Sequence, residues 1–276
     1  MAGSPLITTS RNRAVSSAGR LAKRAFRRED CRFLVEGPAG VAEALVEPGA
    51  LVELFTTPEA ATRYGALLEK AAESGVVVHS VTTSVMAELA QTVTPQGVIG
   101  IAVFRDVSLA TVTAAGPRLV VVLASVRDPG NAGTILRTAD AAGADAVVFT
   151  DASVDPYNPK CVRSSVGSLF HVPFVIGTEL APAITELRRA GMRVLATAGK
   201  GGVDLYSTEL SGPVAWVFGN EAWGLPEELV ALADESVRVP IHGRAESLNL
   251  ATAAAVCLYA SAQGQRVPGG CRGGGS

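Results

Sequence analysis

Two apolar patterns alternate along the chain. Short runs of Val, Leu and Ile, of strand length, are followed by longer alanine-rich segments whose apolar positions recur at helical spacing. That alternation predicts an α/β fold with a mainly parallel, buried sheet. In a first block, strands are expected over 33–36, 51–56, 76–81 and 98–104, with helices near 38–46, 58–74 and 82–90. Small residues broken by Gly116-Pro117 make the stretch after Asp106 a linker, placed at 107–118. The second block opens with the wholly apolar run 119–124, as expected of a strand covered on both faces. Further strands are expected over 146–150, 172–176, 193–198, 214–218 and 236–241. A last helix opens at Ser247 and aligns Leu248, Ala251, Ala255 and Leu258 on one stripe. The tail 263–276 has too little apolar surface to order itself.

Charge changes this picture. The 276 residues hold 24 Lys and Arg against 26 Asp and Glu. On average, a net charge of −2 argues against a protein that coats nucleic acid. Residues 1–32, however, contain eight of the basic side chains and two of the acidic ones, so this arm carries +6 and the remainder −8. Such asymmetry suggests a polyanion partner, since each cation set against a phosphate releases condensed counterions. It is also what a solvated helix face looks like, and the arm alone leaves both readings open. Aromatic residues make up only 5%, which argues against a surface that stacks rows of single-stranded bases. Cys31, Cys161, Cys257 and Cys271 are far apart and no histidine stands at metal-ligand spacing, so no metal and no disulfide framework is expected. No segment approaches the roughly 20 apolar residues of a membrane span. A soluble, cytoplasmic chain with reduced thiols follows as an expectation.

Ligands of α/β sheets bind beyond the carboxyl ends of the strands, so the loops of the second block are where chemistry is expected. Four are polar and glycine-rich. In Ser125-Val-Arg-Asp-Pro-Gly-Asn-Ala-Gly-Thr-Ile-Leu-Arg137, Asn131 reads as a helix N-cap and Ile135, Ala139 and Ala142 as the buried stripe. Arg137 lies roughly 200° from Ile135 and faces away from the core. Taken singly, Asn131 reads more readily as a cap and Arg137 as a solvated charge than either does as a site residue. The loop 157–168 concentrates Lys160, Arg163 and three serines, either an anion site or a polar helix start. The loops Phe218-Gly-Asn-Glu-Ala-Trp-Gly224 and Val239-Pro-Ile-His-Gly-Arg-Ala-Glu-Ser-Leu-Asn249 complete the set. Ser247 suits a cap, whereas Asn249, inside the expected helix, is harder to explain that way. No G-x-G-x-x-G, P-loop or G-x-S-x-G pattern is present, and His79, His171 and His242 form no evident nucleophile pair.

Taken jointly, Asn131-Ala-Gly-Thr-Ile-Leu-Arg137, Val217-Phe-Gly-Asn-Glu221 and Val239-Pro-Ile-His-Gly-Arg-Ala-Glu-Ser-Leu-Asn-Leu-Ala251 resemble, in order, the three motifs of the SpoU/TrmH family of RNA ribose methyltransferases. The likeness covers 119–262. Residues 33–106, with Phe33-Leu-Val-Glu-Gly37 before a helix, are similar to the small ribosomal-protein-like substrate-binding domain that many members carry.

The resemblance implies a C-terminal sheet with a deep trefoil knot, which the general rule against threaded chains would not have suggested. It further implies bound S-adenosylmethionine, a homodimer and no metal. Gly219, Val239 and Leu248 match positions that hold the cofactor, with Thr197, Glu221 and Ile241 as neighbours. The reaction implied is methyl transfer to a ribose 2'-hydroxyl, with 23S ribosomal RNA as the leading target. A tRNA target, or a non-catalytic RNA-binding assembly factor, stands as the alternative. The family pattern gives catalysis to Arg137, assisted by Asn131, Ser247 and Asn249. Because a guanidinium is protonated up to a pKa above about 12, Arg137 is better suited to a phosphate or a developing alkoxide than to proton abstraction. RNA contacts are expected from Arg11, Arg13, Lys23, Arg24 and Arg27 of the arm and from Lys160 and Arg163.

Overall fold

The two blocks of strands form two separate sheets. The computed structural model describes residues 5–198 and 201–266. It divides into one unit of residues 1–105 with 155–171 and a second of 106–154 with 172–276.

In the first unit, α1 (Arg13–Arg20) and α2 (Arg24–Asp30) precede β1 (Arg32–Glu36), α3 (Pro38–Val46), β2 (Leu51–Thr56), α4 (Pro58–Arg63), α5 (Gly65–Glu73), β3 (Val77–Ser80), α6 (Thr83–Leu89) and β4 (Val98–Val103). The sheet order is β1-β4-β2-β3, antiparallel except for the β2–β3 pair. The basic segment is not a detached arm. Val15, Ala18 and Leu21 recur at helical spacing and are buried with Leu34, Phe55, Met86, Leu89 and Ile101 in the core of this unit. Burying three apolar side chains fixes α1 against the sheet, and its arginines take the solvent side.

The linker expected over 107–118 is also structured. Ser108 caps α7 (Leu109–Ala114) by accepting from the Thr111 N–H at 3.1 Å, and Leu109 and Val112 are buried. Its alternation of small and apolar residues concealed a helix of under two turns.

The second unit then runs through β5 (Leu119–Leu123), α8 (Pro129–Ala142) and β6 (Ala146–Thr150). Residues 155–171, with α9 (Pro159–Ser165), belong to the first unit, so the second resumes at β7 (Phe174–Thr178). It continues with α10 (Leu180–Arg189), β8 (Arg193–Thr197), β9 (Val203–Asp204), β10 (Val214–Phe218), α11 (Glu227–Val230), β11 (Glu235–Arg238) and α12 (Leu250–Arg266). All seven strands pair in parallel, in the order β7-β6-β5-β10-β8-β11-β9.

Every residue of β5, β6 and β10 is buried, as the unbroken apolar runs require. Val120, Val122, Ala215 and Val217 face the cluster that includes Leu109, Val112, Ile184 and Leu187 of α7 and α10. On the opposite face α8 packs against α12, and the Trp216 indole N–H donates to Ser261 Oγ of α12 at 2.8 Å. Strand order reverses between β5 and β10. That is the place where loops leave in opposite directions and open a crevice. The helix α12 persists to Arg266, past the expected boundary at 262, and residues 267–276 lie outside the described residues.

Candidate active site

Local capping decides which asparagines are free to act. At the start of α8, Asp128 rather than Asn131 is the N-cap: its carboxylate accepts from the Asn131 N–H at 2.8 Å, and Pro129 fills the first helical position. Gly143, at φ 77°, closes the same helix in the left-handed conformation. The Asn131 side chain is therefore released from capping. At α12 the roles expected from sequence are also exchanged. Asn249 Oδ1 accepts from the N–H groups of Ala251 at 2.9 Å and Thr252 at 3.4 Å, making Asn249 the cap. Ser247 stands before the helix, exposed and without a capping bond. The Asn249 amide N–H₂ remains available and donates to Asn131 Oδ1 at 3.1 Å.

Glu221, from the loop after β10, completes this cluster. Its carboxylate accepts from the backbone N–H of Arg127 at 3.2 Å and of Asp128 at 3.0 Å, and from Asn131 Nδ2 at 3.4 Å. One carboxylate thus ties the β10 loop to the first turn of α8.

Sequence reading passed over Asn220. This buried residue donates from Nδ2 to the Ser125 carbonyl at 2.8 Å and accepts on Oδ1 from the Ala222 N–H at 2.9 Å. Ser125 has φ 59°, a left-handed conformation that is strained for serine, and the Asn220 bond helps to hold it. The signal was an amide-bearing residue directly after a strand and before a turn, which side chain–backbone bonding favours.

Beside this cluster lies a cavity of about 340 Å³ bounded by the ends of β8, β10 and β11 and the start of α12. Thr197, Gly219, Glu221, Val239, Ile241 and Leu248, the six residues expected around a cofactor, all line it, as does Ser247. A Cβ on Gly219 would stand 2.6 Å from the Leu225 nitrogen, so the loop closes over a position where only glycine fits. Thr197 is turned inward, its hydroxyl donating to the Val217 carbonyl at 3.2 Å. Glu221 and Glu246 are the charged side chains lining the cavity among the described residues. Two carboxylates in the lining suit a positively charged ligand.

Arg137 is placed differently from the other catalytic expectations. It is exposed on α8, about 120° around the helix from Asn131, and forms no ion pair or hydrogen bond among the described residues.

The expected RNA contacts divide as well. Arg11, Arg13, Lys23 and Arg24 are exposed, as is Arg28. Arg27 is withdrawn: it is 2% exposed, with Nη2 and Nε donating to Asp155 Oδ2 at 2.6 and 3.2 Å and Nη1 to the carbonyls of Leu21 and Ala22. A buried guanidinium already held by a carboxylate and two carbonyls is not displayed to a phosphate, so the expectation for Arg27 is corrected. Lys160 is exposed on α9, whereas half-buried Arg163 is held by Glu36 at 3.0 Å.

Comparison with known proteins follows the same division. The SpoU rRNA Methylase family matches residues 118–259 and the MRM3-like substrate binding domain matches 12–100. The 23S rRNA (guanosine(2553)-2'-O)-methyltransferase RlmP of Bacillus subtilis is 36% identical over 92% of this chain and 97% of its own. An AdoMet-bound rRNA methyltransferase from Sinorhizobium meliloti superposes with a TM-score of 0.83 at 33% identity, covering 94% of this chain and 97% of the other. The SpoU methyltransferase AviRb from Streptomyces viridochromogenes, in complex with AdoMet, gives 0.79 at 28% identity over 92% and 98%. Taken with the cavity and the asparagine cluster at its edge, these similarities establish that the chain belongs to the SpoU rRNA methylase family.

Proposed function

We propose that the protein transfers a methyl group from S-adenosylmethionine to a ribose 2'-hydroxyl of ribosomal RNA, 23S rRNA being the target. The observation that carries this reading is the convergence of Asn131 from the first turn of α8, Glu221 from the loop after β10 and Asn249 from the cap of α12, beside a cavity whose charged lining among the described residues is acidic. A volume of about 340 Å³ falls within the usual range of roughly 300–1,000 Å³ for ligand pockets. Gly219, Val239 and Leu248 offer backbone and apolar surface for the adenosine, with Thr197 and Ile241 beside them. Glu221 and Glu246 supply negative charge for a sulfonium.

Bound there, the cofactor supplies an electrophilic methyl group for in-line displacement by the ribose oxygen. The chain's own work is to position a weak nucleophile and accommodate its charge. Asn131, Asn249 and Ser247 present amide and hydroxyl groups that orient the ribose. Arg137 holds the adjacent phosphate and stabilises developing alkoxide, and the proton passes to phosphate or water. The exposure of Arg137 away from the cavity supports a site completed by a second copy of the chain in a homodimer. Tyr206 and Tyr259, 71% and 55% exposed around a hollow between residues 205–211 and α12, offer apolar surface for that pairing. Placing β11 between β8 and β9 requires a non-sequential path, and we assign to it the deep trefoil knot of the family. The first unit, with the exposed cations of α1 and α2, binds the RNA. A ribosomal RNA substrate puts the enzyme in the cytoplasm; no helix among the described residues is long and apolar enough to cross a membrane.

Tritiated methyl transfer to deproteinised rRNA and tRNA pools tests the assignment. Label in rRNA is expected, label confined to tRNA would move the target, and label in neither would leave an RNA-binding factor. Arg137→Lys keeps the charge and loses the fork, so turnover should fall by about 100-fold or more. Near-normal turnover in that variant would refute a geometric role.

A further inference from the structure

The chain has two tryptophans, and they are placed oppositely. Trp216 is fully buried in β10. Trp223 is 57% exposed on the wall of the cavity beside the asparagine cluster. An indole left in water forgoes a large hydrophobic gain, and this one is held in position. Asn220 and Gly224 exchange both backbone hydrogen bonds at 2.9 Å, closing the loop that carries Trp223, and buried Asn220 anchors that loop to Ser125. The Arg127 guanidinium carbon lies 5.3 Å from the indole centroid, within cation–π range. Arg127 is itself exposed, and its backbone is fixed by the Glu221 carboxylate.

Resting on the activity proposed above, we infer that Trp223 is the stacking platform for the base of the nucleotide being methylated, with Arg127 meeting the adjoining phosphate. A ribose brought to Asn131 and Asn249 carries its base and its phosphates with it. Proteins that read RNA by sequence stack splayed bases on aromatic faces or guanidinium planes. Trp223 and Arg127 offer both, at the carboxyl ends of β10 and β5. Among the described residues Trp223 is the exposed large aromatic that lines this cavity, since Tyr206 and Tyr259 border the other hollow. The charges also select the occupant. With a guanidinium already over the indole, a second cation such as a sulfonium is disfavoured there, whereas a neutral base joined to a phosphate is favoured.

The test uses the full chain with Trp223→Ala, Trp223→Phe and Arg127→Ala. KM and kcat for methylation of deproteinised rRNA are read beside calorimetric affinity for S-adenosylhomocysteine and sedimentation velocity. Removing one base–aromatic stack should raise KM for rRNA in Trp223→Ala by roughly 5- to 150-fold. Trp223→Phe should stay within about threefold of wild type, because a smaller ring still stacks. Arg127→Ala should raise KM and flatten its salt dependence, with S-adenosylhomocysteine affinity and oligomeric state unchanged in all three. An equal fall in S-adenosylhomocysteine affinity would place the indole against the cofactor, and dissociation of a dimer would place it at a subunit contact; either overturns the platform. So does an unchanged KM in Trp223→Ala. If the wild-type protein methylates no RNA, the platform falls together with the activity it rests on, which distinguishes the two failures.

Discussion

The two units carry opposite electrostatic chemistry. In the first, Arg11, Arg13, Lys23, Arg24 and Arg28 stand exposed on or beside two short helices, of which α1 sinks its apolar side into the core and α2 is held through buried Arg27. In the second, the cavity presents Glu221 and Glu246. A net charge of −2 conceals this separation. On the function proposed above, the difference lets one chain attract a polyanion through the exposed cations of the first unit and hold a cationic cofactor against the carboxylates of the second, with Arg127 and Arg137 meeting the RNA locally at the reaction site. It also separates two kinds of arginine in one short segment. Arg24 and Arg28 are displayed to solvent, whereas Arg27, between them, is an internal strut.

The largest effect should come from that strut. Arg27→Ala leaves Asp155 without its cation and two carbonyls without donors, and breaking a buried pair from one side costs about 3–5 kcal/mol. Chemical denaturation should register the destabilisation in the first unit. If Arg27 instead behaves like Arg24, its buried placement is wrong. Gly219→Ala comes next. The new methyl group meets the Leu225 nitrogen at 2.6 Å, and overpacking of about 1–3 kcal/mol should lower S-adenosylhomocysteine affinity by roughly 5- to 150-fold. The salt-dependent RNA binding supplied by the exposed cations of the first unit should persist, and its loss would mean that those cations do not supply it.

The double variant Arg24→Ala, Arg28→Ala should weaken RNA binding and reduce the salt slope by about one for each phosphate no longer neutralised, with S-adenosylhomocysteine binding intact. A smaller effect concerns Asp234. Burial by itself raises the pKa of this carboxyl, but the Arg188 hydrogen bond and the Val194 N–H outweigh it and hold the group below its ordinary value. Since the folded pKa is depressed, its stabilisation is present above the unfolded pKa of about 3.9 and fades as pH falls through the folded value. Asp234→Asn should therefore flatten the acid end of the stability profile; an unchanged profile would show that the pair contributes nothing.

Much of this was legible in the sequence for a physical reason. Buried parallel strands must be apolar throughout, so 119–123, 146–150 and 214–218 announced themselves. The loops were legible because glycine, asparagine and glutamate are costly where no turn or ligand requires them. What escaped depended on distant partners. Asn131 lost the cap of α8 to Asp128, three residues earlier, and at α12 Asn249 rather than Ser247 took the cap. Arg27 looked like its neighbours because nothing local encodes an aspartate 128 positions away. The helix over Leu109–Ala114 was hidden by small residues, and the membership of 155–171 in the first unit rests on long-range pairing.

The position of methylation tests the central claim most directly. Labelled rRNA from a wild-type reaction is hydrolysed with alkali and the products are separated by charge. A methylated 2'-hydroxyl cannot attack its own phosphodiester, so the label should emerge in an alkali-resistant dinucleotide. Label recovered in mononucleotides would mean that a base, not a ribose, had been modified, and would contradict the assignment of the Asn131–Asn249 cluster to a ribose hydroxyl.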